Sequence, residues 1–283
     1  MIISEVRCVS CHRRPARYKR IQSGEALCPL CLERSLIKQI RRSLGRYSML
    51  RPFAKVIFLI TLESFSKHIA ALELFRKATS DHHTQIIVGL PSIFQDLNEI
   101  IEDLGYETEV LQIPIGIISN WIELIKLQQL LGLKLAKQMN AEFLVLPYTR
   151  EEVLVIALSS IFRKDKEGFS EVLPVKRGEL SIIKPLYMVS LRDLTAYSYF
   201  RGFENYYASI SKYEVLEKLN EEMLVYLTYI SPELLYASEK SIDLITKLKL
   251  GLGGRCRLCY GYTSPDKEIC SYCERLLKSI NHD

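Results

Sequence analysis

Lys55-Val56-Ile57-Phe58-Leu59-Ile60-Thr61 is a short run of β-branched and aromatic residues, and the helical spacing that follows it to about Ala78 completes a strand and helix unit. The same pairing recurs downstream. Gln85-Ile86-Ile87-Val88-Gly89 and Glu109-Val110-Leu111-Gln112-Ile113 are strand candidates, each beside helical sequence. Asn120 to Met139 has the periodicity of a long helix, Glu142-Phe143-Leu144-Val145-Leu146 that of a buried strand, and Arg150 to Phe162 that of another helix. Apolar strands that alternate with helices belong to a parallel sheet covered on both faces. The predicted fold class is therefore α/β, with a doubly wound, mostly parallel sheet as core.

Outside this core the pattern changes. Leu32, Leu36, Ile40 and Leu44 recur at helical spacing between Leu32 and Leu50, with basic residues filling much of the rest, and Pro52 is expected to end that helix. After Pro174 the pattern loosens. Ile182-Ile183-Lys184-Pro185-Leu186 reads as extended, and Ser190 opens a helix that carries Asp193 in its first turn. Ser209 to Leu250 is mostly helical in pattern, and Leu250-Gly251-Leu252-Gly253-Gly254 reads as a hinge. The expected organisation is an amino-terminal module (1–34), a basic linker helix (35–52), the α/β domain (53–205), a helical extension (206–250) and a carboxyl-terminal module (251–283).

The eight cysteines sit at the two ends: Cys8, Cys11, Cys28 and Cys31 in one module, Cys256, Cys259, Cys270 and Cys273 in the other. Two C-x-x-C turns facing each other bring four thiolates to the bite of a tetrahedral Zn²⁺ and leave no open position, so both sites are expected to be structural zinc ions. Each segment is poor in apolar residues, and structural zinc contributes about 10 to 16 kcal/mol to such modules. Disulfides and rubredoxin-like iron are the alternatives that the spacing leaves open. His12 is redundant as a ligand and is expected at the surface.

No apolar run reaches the roughly 18 residues of a membrane helix, and Met1-Ile2-Ile3-Ser4-Glu5 has no signal-peptide pattern, so a cytosolic protein is expected. The net charge of +5 is modest but unevenly spread. Arg7, Arg13, Arg14, Arg17, Lys19, Arg20, Arg34, Lys38, Arg41, Arg42, Arg46 and Arg51 crowd the first fifth of the chain. A run of this kind is either a solvated face or a polyanion site. Aromatic residues interleave with it in His12-Arg13-Arg14-Pro15-Ala16-Arg17-Tyr18-Lys19-Arg20, a pattern suited to phosphates with an occasional stacked base. The candidates for RNA contact are Arg13, Arg14, Arg17, Lys19, Arg20, Lys38, Arg41 and Arg42. Tyr197, Tyr199, Phe200, Phe203, Tyr206, Tyr207 and Tyr213 read as core or interface rather than as a stacking surface.

The order of cysteine module, basic helix, doubly wound sheet, helical extension and cysteine module resembles the PP-loop ATPases that 2-thiolate tRNA, over nearly the whole chain. Those enzymes adenylate a uridine and replace the activated oxygen with sulfur; an S-G-G-x-D-S turn after the first strand holds the pyrophosphate of ATP. Here that stretch reads Thr61-Leu62-Glu63-Ser64-Phe65-Ser66, without the glycines and the aspartate. Bulky Cβ groups hinder backbone amides from closing on a phosphate, and Glu63 adds a negative charge. The family's G-H-N-x-D-D reads Pro147-Tyr148-Thr149-Arg150-Glu151-Glu152, where the two glutamates are ordinary first-turn residues of a helix. Its central cysteines, which hold an iron–sulfur cluster or a persulfide, align with Trp121 and Leu124.

With all three elements altered, the chain resembles the degenerate, non-catalytic second subunit of the cytoplasmic tRNA 2-thiolation complex. Lys184-Pro185-Leu186 and Leu191-Arg192-Asp193-Leu194-Thr195-Ala196-Tyr197 match that family's R-P-L-R-D-L region. The resemblance implies a tRNA-binding subunit for wobble-uridine 2-thiolation, without catalytic residues, ATP or an iron–sulfur cluster. Its implied partners are tRNA, an active PP-loop paralogue or a second copy of itself, and a ubiquitin-like sulfur carrier. A stand-alone nucleotide-dependent tRNA-modifying enzyme with a remodelled loop and a zinc-stabilised interaction scaffold are the alternatives. For the first, His68, His82, His83 and His282 offer little as bases.

Overall fold

Cys28, Pro29 and Cys31 start the first helix of the chain, because proline at the first helical position needs no amide partner and the cysteines fall on either side of the turn. The computed structural model describes residues 6–21, 23–62, 65–114, 118, 120–206, 218–227 and 254–280. Glu63, Ser64, Tyr207, Tyr213 and His282 lie outside them, as do the hinge residues 250–253 and most of the expected helical extension.

The amino-terminal module pairs β1 (Tyr18–Lys19) with β2 (Ala26–Leu27) in an antiparallel ribbon and runs directly into α1 (Pro29–Arg46). Module and basic helix are thus one continuous element, with Cys31 in its first turn. The expected end at Pro52 is corrected: α1 stops six residues earlier in a Schellman-type cap. There Ser48 is left-handed (φ +46°) and the Met49 amide donates to the Leu44 carbonyl at 2.9 Å, with Met49 fully buried.

The core follows as β3 (Lys55–Leu59), α2 (Phe65–Ala78), β4 (Gln85–Pro91), α3 (Asn98–Asp103), β5 (Glu107–Leu111), α4 (Trp121–Gln138), β6 (Phe143–Val145) and α5 (Arg150–Phe162). A short hairpin, β7 (Val175–Arg177) and β8 (Ser181–Ile183), closes the sheet, and α6 (Leu191–Phe200) follows it. The sheet order is β5-β4-β3-β6-β8-β7, parallel throughout except for the edge strand β7. The expected doubly wound, mostly parallel sheet is therefore present. The chain builds outward from β3 to β5, crosses back through α4 to β6 and builds outward the other way. This reversal places the topological switch point at the carboxyl ends of β3 and β6.

Strand β7 escapes a reading of periodicity because its central residue, Lys176, is buried. Further along lie α7 (Lys218–Val225) and the terminal module, a ribbon of β9 (Gly254–Arg255) and β10 (Tyr262–Thr263) followed by α8 (Ser271–Ile280). None of the described helices is long and apolar enough to cross a membrane.

The two end modules dock on the core through polar contacts. Ser190 sits at the start of α6, yet its hydroxyl donates to Glu151 at 2.8 Å instead of capping its own helix, and Glu151 also accepts from the Leu191 amide at 2.7 Å. Asp193 is thereby left to the amino-terminal module. It accepts from the Tyr18 hydroxyl at 2.7 Å and from Arg20 Nε at 2.8 Å, while Arg20 also bridges Glu25 at 2.7 Å. Since Arg20 and Asp193 are both nearly enclosed, Asp193→Ala should cost about 3 kcal/mol. In limited proteolysis the module around residues 8–27 should be cleaved first, with urea unfolding giving the stability loss.

Candidate functional site

Each cysteine quartet is assembled from a turn and a helix start. In the first, the Cys8 carbonyl accepts from the His12 amide within a tight turn and Cys28 and Cys31 flank the first residues of α1; in the second, Cys270 precedes α8 and Cys273 lies within it. All four sulfurs of either group lie within 4.8 Å of one another. The Cys11 and Cys28 sulfurs are 3.9 Å apart and those of Cys259 and Cys270 3.8 Å, well beyond the S–S bond of about 2.05 Å, and all eight cysteines are free. The disulfide alternative is thus excluded. An edge of this length is that of a tetrahedron with metal–sulfur bonds of about 2.3 Å. The donor sets fit a thiolate-bound metal group, which would tie each module together and offer no open coordination position. His12 is exposed, as expected.

The second cage is seated on buried charge. Lys126 on α4 is fully buried; its Nζ lies 2.8 Å from Glu171 Oε1, 3.3 Å from the Ser170 hydroxyl and 3.5 Å from Cys259 Sγ. Glu171 is equally buried and also pairs with Lys176 at 2.9 Å. Burial opposes the charge of Lys126, but Glu171 and the thiolates outweigh it and hold its pKa well above the ordinary value. Four thiolates around a divalent ion form a dianion, and Lys126 supplies a counter-charge at contact distance. Gly261 makes this approach possible, since a Cβ there would meet Ser170 Oγ at 2.5 Å and Lys126 Nζ at 3.0 Å. Glu167, which accepts from the Ser271 amide at 2.8 Å, Asp165, which accepts from the Tyr272 hydroxyl, and Glu123, paired with Arg275 at 2.8 Å, complete the seat.

At the switch point the chain folds onto itself. The Leu62 amide donates to Gln128 Oε1 at 3.1 Å, and the Leu62 side chain is buried. Thr61 Oγ1 lies 3.1 Å from His68 Nε2. Lys67 pairs with Glu152, whose carboxylate also accepts from the Thr149 amide and hydroxyl at 2.8 and 2.6 Å in a capping box. Glu151 and Glu152 therefore do stand in the first turn of α5, but as buried struts. Trp121 and Leu124 are buried at the start of α4, apolar where the resembling enzymes have cysteines. Burial, and then the neighbouring Lys67, hold the pKa of His68 well below its usual value, with Thr61 opposing weakly.

The basic candidates divide. Arg13, Arg14, Arg17, Lys19, Lys38 and Arg42 are exposed. Arg20 is taken up by Asp193 and Glu25, and Arg41 is a strut: its Nε donates to the Ala78 carbonyl at 3.0 Å and it bridges Asp81 at 3.0 Å. Sequence reading passed over Arg34, which is exposed and precedes Lys38 and Arg42 at spacings of four on α1, so the three lie on one slanting face. The signal was the i, i+4, i+8 repeat. Of the aromatic series, Tyr197 and Phe203 are buried, whereas Tyr199 is exposed.

No family model matches the chain, and no curated protein matches it by sequence. Among solved structures it resembles the U34-tRNA thiolase NcsA from Methanococcus maripaludis with its [4Fe-4S] cluster. The TM-score is 0.73 and the identity 14%, over 98% of this chain and 97% of that one. At that identity the shared property is the fold, and this chain carries a four-cysteine group towards either end of it. The expectation of two zinc ions without an iron–sulfur cluster is corrected. A protein of the same fold carries a [4Fe-4S] cluster, and four thiolates suit iron as well as zinc, so cysteine spacing does not select the metal.

Two outcomes are expected. Lys126→Met should release metal from the second quartet about tenfold more readily in a chelator competition, because a partner of the ligand shell is lost. The second concerns pH. Native His68 stays neutral, whereas in the unfolded chain it takes up a proton below about pH 6.5, so stability falls as pH drops through that value and is unaffected above it. Thermal melting between pH 5 and 8 should show this slope, and His68→Gln should flatten it.

Proposed function

We propose that this chain is an RNA-binding, non-catalytic subunit for tRNA 2-thiolation, holding tRNA for an active PP-loop partner that performs the chemistry on a wobble uridine. The observation that carries this reading is the Leu62 amide. A backbone N–H in the turn that follows β3 is what a phosphate would need in this fold, and here that of Leu62 is spent on Gln128 beneath a buried leucine. Around it, Lys67 and Glu152 pair with one another, so among the described residues that ammonium and that carboxylate are already committed to each other rather than to a triphosphate or Mg²⁺. The likeness to a U34-tRNA thiolase supports the RNA class. So does the exposed arginine and lysine face that runs from the amino-terminal module along α1.

Phosphate contacts of this kind give Kd values of about 10⁻⁴ to 10⁻⁶ M and weaken steeply with salt. The partner in this reading is a paralogue with an intact S-G-G-x-D-S turn, with a ubiquitin-like carrier bringing sulfur to it; a second copy of this chain is the other candidate for the contact.

Labelled Mg-ATP titrated against the protein should give no saturable binding, while tRNA should bind with a negative slope of log affinity on log salt. The triple reversal Arg34→Glu, Lys38→Glu, Arg42→Glu should cut tRNA affinity at least tenfold. Saturable ATP binding would return the stand-alone enzyme to first place, and salt-independent tRNA binding would remove the basic face from the account. Native purification should recover tRNA together with the intact paralogue.

A further inference from the structure

The basic face of α1 ends at a groove of about 410 Å³, a size suited to a small planar ligand. Its floor is apolar, formed by Leu44, Leu50 and Ala78, and Ser48, His82 and the paired Arg41 and Asp81 line the rest. Gly45 also lines it, and a Cβ at Gly45 would meet no atom within 4 Å, so the mouth is open on the side of α1. Arg42 lies three residues before Gly45, hence on the same side of the helix.

Beside the groove stands Phe53, 75% exposed, one ring face stacked on His83 with centroids 5.5 Å apart and planes 13° from parallel. The Phe53 amide donates to the His82 carbonyl at 2.7 Å, which ties the aromatic pair to the groove wall. Phe53 has a positive φ (+58°), an uncommon conformation for a bulky residue. Apart from its stacking on His83, the Phe53 ring stands in solvent. His82 Nδ1 is buried with no hydrogen-bond partner among the described residues.

We propose that this groove and Phe53 form a site for one unpaired nucleotide of an RNA, with the base stacked on the free face of Phe53 over the Leu44, Leu50 and Ala78 floor and the phosphates running back along Arg42, Lys38 and Arg34. The proposal rests on the reading that the chain binds RNA. Stacking on an aromatic face tolerates any base, and the charge on one side of the groove matches a strand that enters from α1.

The test uses the full-length protein with two probes of equal length: a single-stranded oligouridylate with 2-aminopurine at its centre, and an RNA duplex. On binding, the wild type should quench the fluorescence of the single-stranded probe. Phe53→Ala should abolish the quenching and lower affinity for that probe about tenfold, leaving duplex affinity within about twofold, and Phe53→Trp should restore both. Gly45→Leu, which adds a side chain into open space at the mouth, should act like Phe53→Ala. Equal binding of the single strand by the wild type and Phe53→Ala would overturn the site while leaving the RNA reading intact. Absence of binding to either probe would overturn both.

Discussion

The pairing of Glu171 with Lys126 and Lys176 is the interaction on which the arrangement of this chain depends most. Three charged groups have been withdrawn from water at a point where α4, the segment before β7, β7 itself and the carboxyl-terminal cage meet. None could remain buried alone, because an unpaired interior charge costs several kcal/mol even after relaxation. Lys184 sharpens the point: among the described residues it donates to the carbonyls of Glu171 and Leu173, the latter at 2.9 Å, and burial lowers its pKa to about 7. Two lysines set against the one Glu171 carboxylate leave a positive charge, and the thiolate cage, with Cys259 Sγ 3.5 Å from Lys126, answers it. Metal binding at the end of the sequence and packing in the middle of the sheet are parts of one electrostatic arrangement.

The amino-terminal end solves a similar problem differently. Its cage shares a helix with the basic face, so the module is aimed by α1, and Arg20 and Tyr18 anchor it to Asp193. Asp193 is available only because Glu151 has taken over the start of α6. The two first-turn glutamates of α5 thereby fasten it to α6 and to the loop before it. The same economy closes the switch point, where Gln128, His68 and Lys67 satisfy groups that in an open crevice would face a ligand.

Much of this was legible in the residues. Alternating apolar runs are the pattern of a sheet buried on both faces, so β3, β4, β6 and α5 could be placed nearly to the residue, and cysteine pairs at C-x-x-C spacing have few uses besides a cage. Local patterns carry such information because each depends on neighbours in the chain. The face of α1 was legible too, once Arg34 is counted with Lys38 and Arg42.

What tertiary structure alone decided depends on partners far apart in sequence. Nothing in the local sequence marks Lys176 and Lys126 for burial, which Glu171 at contact distance explains. Arg20 and Arg41 could not be told from their exposed neighbours until Asp193 and the Ala78 carbonyl were in place beside them. The metal is a further case, since four thiolates present nearly the same cage to zinc and to iron. The sequence by itself determined the layers, the quartets and the basic helix, because periodicity and spacing are local. Tertiary structure decided which charges are spent internally and which remain for a partner, because electrostatic pairing acts through space and not along the chain.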